Sequence, residues 1–105
     1  MYHKHIKADS EFKIVAATER SQAAVMALEA GQSTGSTNNM HLKSDQWLYV
    51  VSGNGKAIIE DLSIDLKPGV LVLIEAGEVH EIFASPTENL TTINIYAPPE
   101  YPADL

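Results

Sequence analysis

Residues 39–55, NMHLKSDQWLYVVSGNG, give the clearest indication of the fold. Within it, residues 47–51 form the strongest strand pattern in the chain, because aromatic and β-branched residues follow one another. Residues 52–55 have the composition of a hairpin turn, so the chain is expected to return as a partner strand over residues 56–59. His41 and Gln46 come just before this pattern. Trp47 and Tyr49 should point to the face of the strand opposite Gln46, because successive side chains in a strand alternate.

A second informative stretch is residues 68–82, PGVLVLIEAGEVHEI. It predicts a turn over residues 67–69, a buried strand over 70–74, a second turn over 76–78 and a strand over 80–84. If His80 faces inward, Ile82 and Ala84 must face inward too, while Glu81 faces out. The pattern therefore places a histidine on an apolar inner face.

The rest of the chain continues the rhythm of short strands. Further strand patterns cover residues 12–18, 23–28, 63–66 and 91–96, and about eight such runs indicate an all-β sandwich or barrel. Residues 20–30 are the best helical candidate, but their position among strands favours β-structure. The polar segment over residues 31–40 is long enough to form a mouth or lid.

Composition limits the classes of function. The chain has 105 residues and no cysteine, which predicts a single domain over residues 1–105, with a barrel core over about 11–97, and excludes thiolate chemistry. A formal net charge of -7 makes nucleic acid and anionic membrane surfaces poor partners. No apolar stretch is long enough to span a bilayer and the first residues do not resemble a signal peptide, so a cytoplasmic location is expected.

A homodimer is also expected. The chain is short and has no disulfides, so a partner copy would supplement a small core. Trp47 and Tyr49 would give its outer face an apolar surface.

The two informative stretches resemble the motifs of the cupin family. The residues that hold the positions or spacing of the first motif are Asn39, His41, Gln46 and Gly53, and those of the second are Gly69, Glu75, Gly77 and His80. The resemblance implies a double-stranded β-helix, which is a jelly-roll barrel, often assembled as a dimer. It also implies a pocket lined by Asn39, His41, Gln46 and His80. Many cupins bind iron, manganese, zinc or nickel through the motif histidines and a glutamate.

The sequence departs from that ligand set. Asn39 stands in place of one histidine and Gln46 in place of the glutamate, so the remaining donors are neutral. His41, His80 and Gln46 would then hold a divalent ion weakly, because no carboxylate balances its charge. Alternatively, Gln46 only hydrogen-bonds His41. Glu75 or Glu78 would supply a carboxylate only if the turn before His80 folds back over the pocket.

Three functional hypotheses remain open at this point. The first is a small-molecule pocket with a weak divalent metal, whose reaction, if it is an enzyme, would resemble that of an oxygenase or isomerase. The second is a metal-free, non-catalytic module that binds or senses a small ligand. The third is a structural dimer with a vestigial pocket, and the fold alone does not choose among them.

Overall fold

The computed structural model describes residues 1–9, 11–35, 40–102 and 104. Within these residues the chain forms eight strands and no helix, so the prediction of an all-β fold is confirmed. None of the described residues belongs to a helix that could cross a membrane. The strands are β1 (Lys13–Ala17), β2 (Gln22–Leu28), β3 (Asp45–Gly53), β4 (Gly55–Ile59), β5 (Leu62–Leu66), β6 (Leu71–Ile74), β7 (His80–Ala84) and β8 (Leu90–Ala97).

The strands form two antiparallel sheets. The larger sheet has the order β1-β2-β8-β3-β6, and the smaller has the order β5-β4-β7. Four connections carry the chain from one sheet to the other: β3 to β4, β5 to β6, β6 to β7 and β7 to β8. The helical candidate over residues 20–30 is instead mostly β2, which pairs along its whole length with β8.

The segment after β2 lengthens the smaller sheet. The Thr34 backbone N–H donates to Ile82 and the Ala84 N–H donates to Gln32, each over 2.9 Å, so residues 32–34 run beside β7. This segment covers the outer side of β7. Glu81 therefore faces out as predicted but is only 7% exposed, and it accepts a hydrogen bond from the Ser33 hydroxyl over 2.7 Å.

The turn between β3 and β4 requires glycine for two reasons. Gly53 has a φ of 86°, a conformation that residues with a Cβ rarely adopt. A Cβ at Gly53 would also collide with the carbonyl oxygen of Asn89. The chain therefore passes close to the start of β8 as it leaves the larger sheet.

The inner faces of the two sheets enclose one apolar core. Its members come from both sheets and are Met26, Leu28, Leu48, Val50, Ala57, Leu66, Val72, Ile74, Ile82, Ala84 and Leu90. The inner face changes character towards one end of the larger sheet, where Gln22 and Gln46 are both paired with Tyr96. This polar end of the inner face holds the cavity described below.

The outer face of the larger sheet carries exposed apolar side chains. We define the outer apolar patch as Trp47, Tyr49 and Val51 of β3 with Leu71 and Leu73 of β6, which are between 37% and 59% exposed. Trp47 and Tyr49 thus point away from Gln46, as the strand alternation predicts. Contiguous apolar patches on monomers are usually small, and larger ones mark sites of association.

We predict that the chain forms a homodimer through the outer apolar patch. Light scattering at micromolar concentration should give twice the 11.4 kDa mass of the chain. The double substitution Trp47→Lys with Leu71→Lys should give a monomer, because burying two ammonium groups in an apolar interface is costly.

Leu62→Lys is the matched control for the dimer experiment. Leu62 is 72% exposed and apolar but lies on β5, outside the patch, so this variant should remain dimeric. A wild-type chain that is monomeric at the same concentration would contradict the prediction.

Candidate functional site

His41 lies in the short segment that leads into β3. Its backbone carbonyl accepts a hydrogen bond from the Gly77 N–H over 2.8 Å, which ties it to the turn between β6 and β7. Three residues later the Ser44 hydroxyl donates to the carbonyl of Pro98 over 2.7 Å. The segment is therefore fixed on two sides, and the His41 ring is 9% exposed.

His80 begins β7 on the opposite sheet and is 5% exposed. Its Nδ1 lies 3.1 Å from the carbonyl oxygen of Glu78. A carbonyl only accepts, so Nδ1 must carry the proton in this contact. Burial lowers the pKa of His80, more than the hydrogen bond to Glu78 raises it, so the ring is neutral at pH 7. The remaining nitrogen, Nε2, is then an unprotonated acceptor.

A chain of hydrogen bonds fixes the orientation of Gln46. The Thr92 hydroxyl donates to the carbonyl of Met26 over 3.5 Å, and the Asn94 amide donates to Thr92 over 3.0 Å. The Gln46 amide donates in turn to Asn94 Oδ1 over 3.0 Å. Gln46 Oε1 is left facing His41 Nε2 at 3.1 Å, so His41 must donate through Nε2. We call these four side chains, Thr92, Asn94, Gln46 and His41, the polar relay.

The second nitrogen of His41 faces a carboxylate. His41 Nδ1 lies 3.6 Å from Glu100 Oε2, close enough for an ion pair when the ring is protonated. Glu100 belongs to the segment after β8, and Gln22 holds that segment in place. The Gln22 amide donates to the carbonyl of Tyr101 over 2.6 Å, and its Oε1 accepts from the backbone N–H groups of Glu100 and Tyr101.

These elements surround a cavity of about 560 Å³, a size typical of pockets for small organic molecules. Apolar and aromatic side chains form much of its wall. The rings of His41 and His80 lie against each other on its wall, with their centroids 5.1 Å apart. The lining consists of Glu11, Phe12, Met26, Leu28, Thr34, Met40, His41, Gln46, His80, Ile82, Tyr96, Glu100 and Tyr101.

The structure brings together three of the four residues that the sequence proposed for the pocket. His41, Gln46 and His80 line the same cavity, whereas Asn39 lies outside the described residues. Glu75 and Glu78 do not line this cavity. The turn that carries them folds on itself instead, because the Glu78 carboxylate accepts from the Glu75 backbone N–H over 2.7 Å.

Sequence reasoning missed the carboxylates and the inner part of the polar relay. Glu11 precedes β1 and Glu100 follows β8, so neither belongs to a motif. Thr92 and Asn94 are fully buried on β8. The signal that would have found them is the register of β8, in which Thr92 and Asn94 alternate with the isoleucines of TTINIY.

The donor set does not fit a resident divalent ion. His41 Nε2 and Gln46 Oε1, two of the expected ligand atoms, are hydrogen-bonded to each other. A metal would have to replace the proton between them, and the Gln46 oxygen that would bind it carries no charge. In the described part of the chain, no three His, Cys, Asp or Glu residues are grouped so that they would hold a metal. This coordination chemistry favours a pocket that works without one.

We predict that His80 makes the fold less stable below its ordinary pKa of about 6.5. The unfolded chain binds a proton at this ring as the pH falls through that value, while the buried ring of the folded chain resists it. Stability therefore rises with pH through this window and is lost as the pH falls, by at most about 1.4 kcal/mol per pH unit for one proton. Urea unfolding at a series of pH values measures the slope.

His80→Gln is the comparison that isolates this contribution. It removes the titrating ring and leaves His3, His5 and His41 in place, so its stability should change less than that of the wild type between pH 7 and pH 5. Equal slopes for the two proteins would contradict the prediction.

Comparison with known proteins places the fold in a family. The chain superimposes on a protein from Bacillus halodurans with a TM-score of 0.85 at 22% identity, covering 91% of this chain and 76% of that one. A cupin protein from Bacteroides fragilis gives 0.81 at 19% identity, covering 92% and 84%. A protein from Thermotoga maritima, described as a predicted oxalate decarboxylase, gives 0.69 at 21% identity, covering 77% and 69%.

These likenesses, all below 25% identity, show the fold alone. No curated protein matches the chain. The family model described as "Cupin domain" matches residues 24–96, which is more than half of the chain and spans the strands that carry Gln46 and His80. Together with the two-sheet architecture, this match confirms the double-stranded β-helix, and the chain belongs to the cupin family.

Proposed function

We propose that this chain binds a small organic molecule in the cavity between its sheets and does so without a metal ion. The observation that carries the proposal is the state of His80. Its Nδ1 is bound to the Glu78 carbonyl, and its Nε2 has no hydrogen-bond partner among the described residues. No fully buried side-chain nitrogen or oxygen atom of the described residues lacks a hydrogen-bond partner, so Nε2 is reachable from the cavity, where a donor group of a ligand can take the place of water.

The polar relay supports the same conclusion. Both ring nitrogens of His41 face protein acceptors, Gln46 and Glu100, so this residue positions the wall of the pocket. Each amide of the relay has its oxygen and one of its N–H groups hydrogen-bonded inside the protein. A satisfied buried network of this kind rigidifies its surroundings. The pocket is therefore pre-organised, which lowers the cost of binding.

General acid–base catalysis by the two histidines is a second candidate, and their 5.1 Å separation favours it. A base is available at His80, because burial lowers the pKa of His80 and keeps the ring neutral at pH 7. His41 is poorly placed to act as the general acid, because both of its ring nitrogens face protein groups, Gln46 and Glu100, and neither is free to donate to a ligand. The arrangement supports binding more strongly than a two-histidine reaction.

The metal-independent account predicts the effect of Gln46→Glu. This change would create a set of two histidines and one carboxylate, which divalent ions such as iron(II) bind well. We expect wild-type protein to show no change in Tm with added Zn²⁺, Ni²⁺ or Mn²⁺, and the variant to gain several degrees. A ligand at a hundred times its Kd stabilises the folded state by about 2.7 kcal/mol.

Both proteins should carry His3→Ala and His5→Ala, because these exposed histidines are a separate source of metal affinity. Gln46→Leu is the matched control, since it removes the amide without adding a carboxylate. A fragment library screened by ligand-observed NMR in EDTA tests binding itself, and hits should be lost in His80→Phe. Wild-type protein that retains near-stoichiometric metal, lost in His80→Ala, would contradict the proposal.

A further inference from the structure

The fixed charges on the cavity wall are all of one sign. The lining includes Glu11 and Glu100 and no lysine or arginine among the described residues. Glu100 is 28% exposed at its side chain, so its field is only partly screened by solvent. The chain as a whole carries a formal net charge of -7, which adds a long-range field of the same sign. An anionic ligand would enter this pocket against a repulsion that nothing on the wall offsets at neutral pH.

The hydrogen-bonding groups that the cavity wall offers to a ligand are mainly acceptors. His80 Nε2 requires a donor from the ligand, because the Glu78 carbonyl, 3.1 Å from Nδ1, holds the ring proton on the other nitrogen. The carboxylates of Glu11 and Glu100 also accept only. Among the donors of the wall, His41 Nε2 is already bound to Gln46, and the hydroxyl groups of Tyr96 and Tyr101 are hydrogen-bonded to each other. A complementary ligand therefore carries several N–H or O–H groups on one end.

Aromatic rings and aliphatic side chains make up much of the remaining wall. Tyr101 packs edge-on against Phe12, with ring centroids 4.9 Å apart, and against Tyr96 at 5.1 Å. Met26 and Ile82 contribute aliphatic surface. Such a wall accommodates an apolar body, and aromatic faces attract cations more than anions.

We propose that the pocket selects a small organic cation, an amine whose ammonium group donates to His80 Nε2 and to the Glu100 carboxylate while its apolar body lies against Phe12 and Tyr101. This inference rests on the proposed function and specifies its ligand class. The carboxylates supply both negative charge and acceptors, and the aromatic wall favours the same chemistry.

Three probes of nearly equal size and different charge test the selection. Phenethylamine is cationic, 2-phenylethanol is neutral and phenylacetate is anionic at pH 7.5. Isothermal titration in EDTA should rank phenethylamine above 2-phenylethanol and show no measurable binding of phenylacetate. Raising the salt concentration should weaken the binding of phenethylamine and leave the affinity for 2-phenylethanol unchanged, because only the cation is held by charge.

The variant Glu100→Gln removes a negative charge with little change in shape. It should raise the Kd of phenethylamine roughly fivefold, which is the effect expected for the loss of one partly exposed ion pair, and leave the Kd of 2-phenylethanol unchanged. Glu19→Gln makes the same charge change at an exposed residue between β1 and β2 that does not line the cavity, and it should alter neither affinity.

Two results would overturn the cation preference. One is phenylacetate binding as tightly as phenethylamine, and the other is phenethylamine binding equally well to wild type and to Glu100→Gln combined with Glu11→Gln. If 2-phenylethanol or phenylacetate binds the wild type and this binding is lost in His80→Phe, the proposal of a metal-independent binding pocket is supported even though the preference for cations is rejected. If none of the three binds the wild type, the preference is rejected, and the fragment screen alone then decides whether the pocket binds ligands.

Discussion

The site depends on one constraint: Gln46 is a polar amide buried between two sheets and must find partners there. Its side chain is 4% exposed, so water supplies little of its hydrogen bonding. Asn94 and His41 satisfy it, and Thr92 satisfies Asn94 in turn. The series ends at the backbone carbonyl of Met26, which can only accept, so Thr92 must donate to it. This fixes in turn the donor and the acceptor of every other hydrogen bond in the series. The neighbouring strands β3, β8 and β2 therefore determine which ring nitrogen of His41 donates the hydrogen bond to Gln46.

This constraint separates the roles of the two histidines. His41 is held as a donor by Gln46, while His80 is held as an acceptor towards the cavity by the Glu78 carbonyl. In a metal centre both rings would present an unprotonated nitrogen to one point in space. The Gln46 amide, where the family motif has a carboxylate, accepts a hydrogen bond from His41 and so makes this side of the cavity a polar wall. Gln22 completes the wall by holding Glu100 and Tyr101 across the cavity.

Much of the fold could be predicted from the sequence, because strand alternation and turn composition act locally. The strand at residues 80–84 and the turn at Gly53 are examples. The expected hairpin partner was wrong, because β4 pairs with β5 and β7 in the smaller sheet and not with β3. The β4–β5 turn was less visible, since Glu60 and Asp61 adopt positive φ without a glycine. The inner face of β8 was hidden for a different reason. Its isoleucines, Ile93 and Ile95, lie on the outer face, while Thr92 and Asn94 are fully buried. Only the pairing with β3 and the relay explain that register.

The hydrogen bonds require the rings of His41 and His80 to carry their protons on different nitrogens. Two-dimensional NMR of ¹⁵N-labelled protein at pH 7.5, correlating the ring nitrogens with the ring carbon-bound protons, distinguishes the tautomers directly. The account predicts a neutral His80 protonated at Nδ1 and bare at Nε2, and a His41 protonated at Nε2. A His80 protonated at Nε2, or a His41 bare at Nε2, would contradict it and restore the case for a metal held between them.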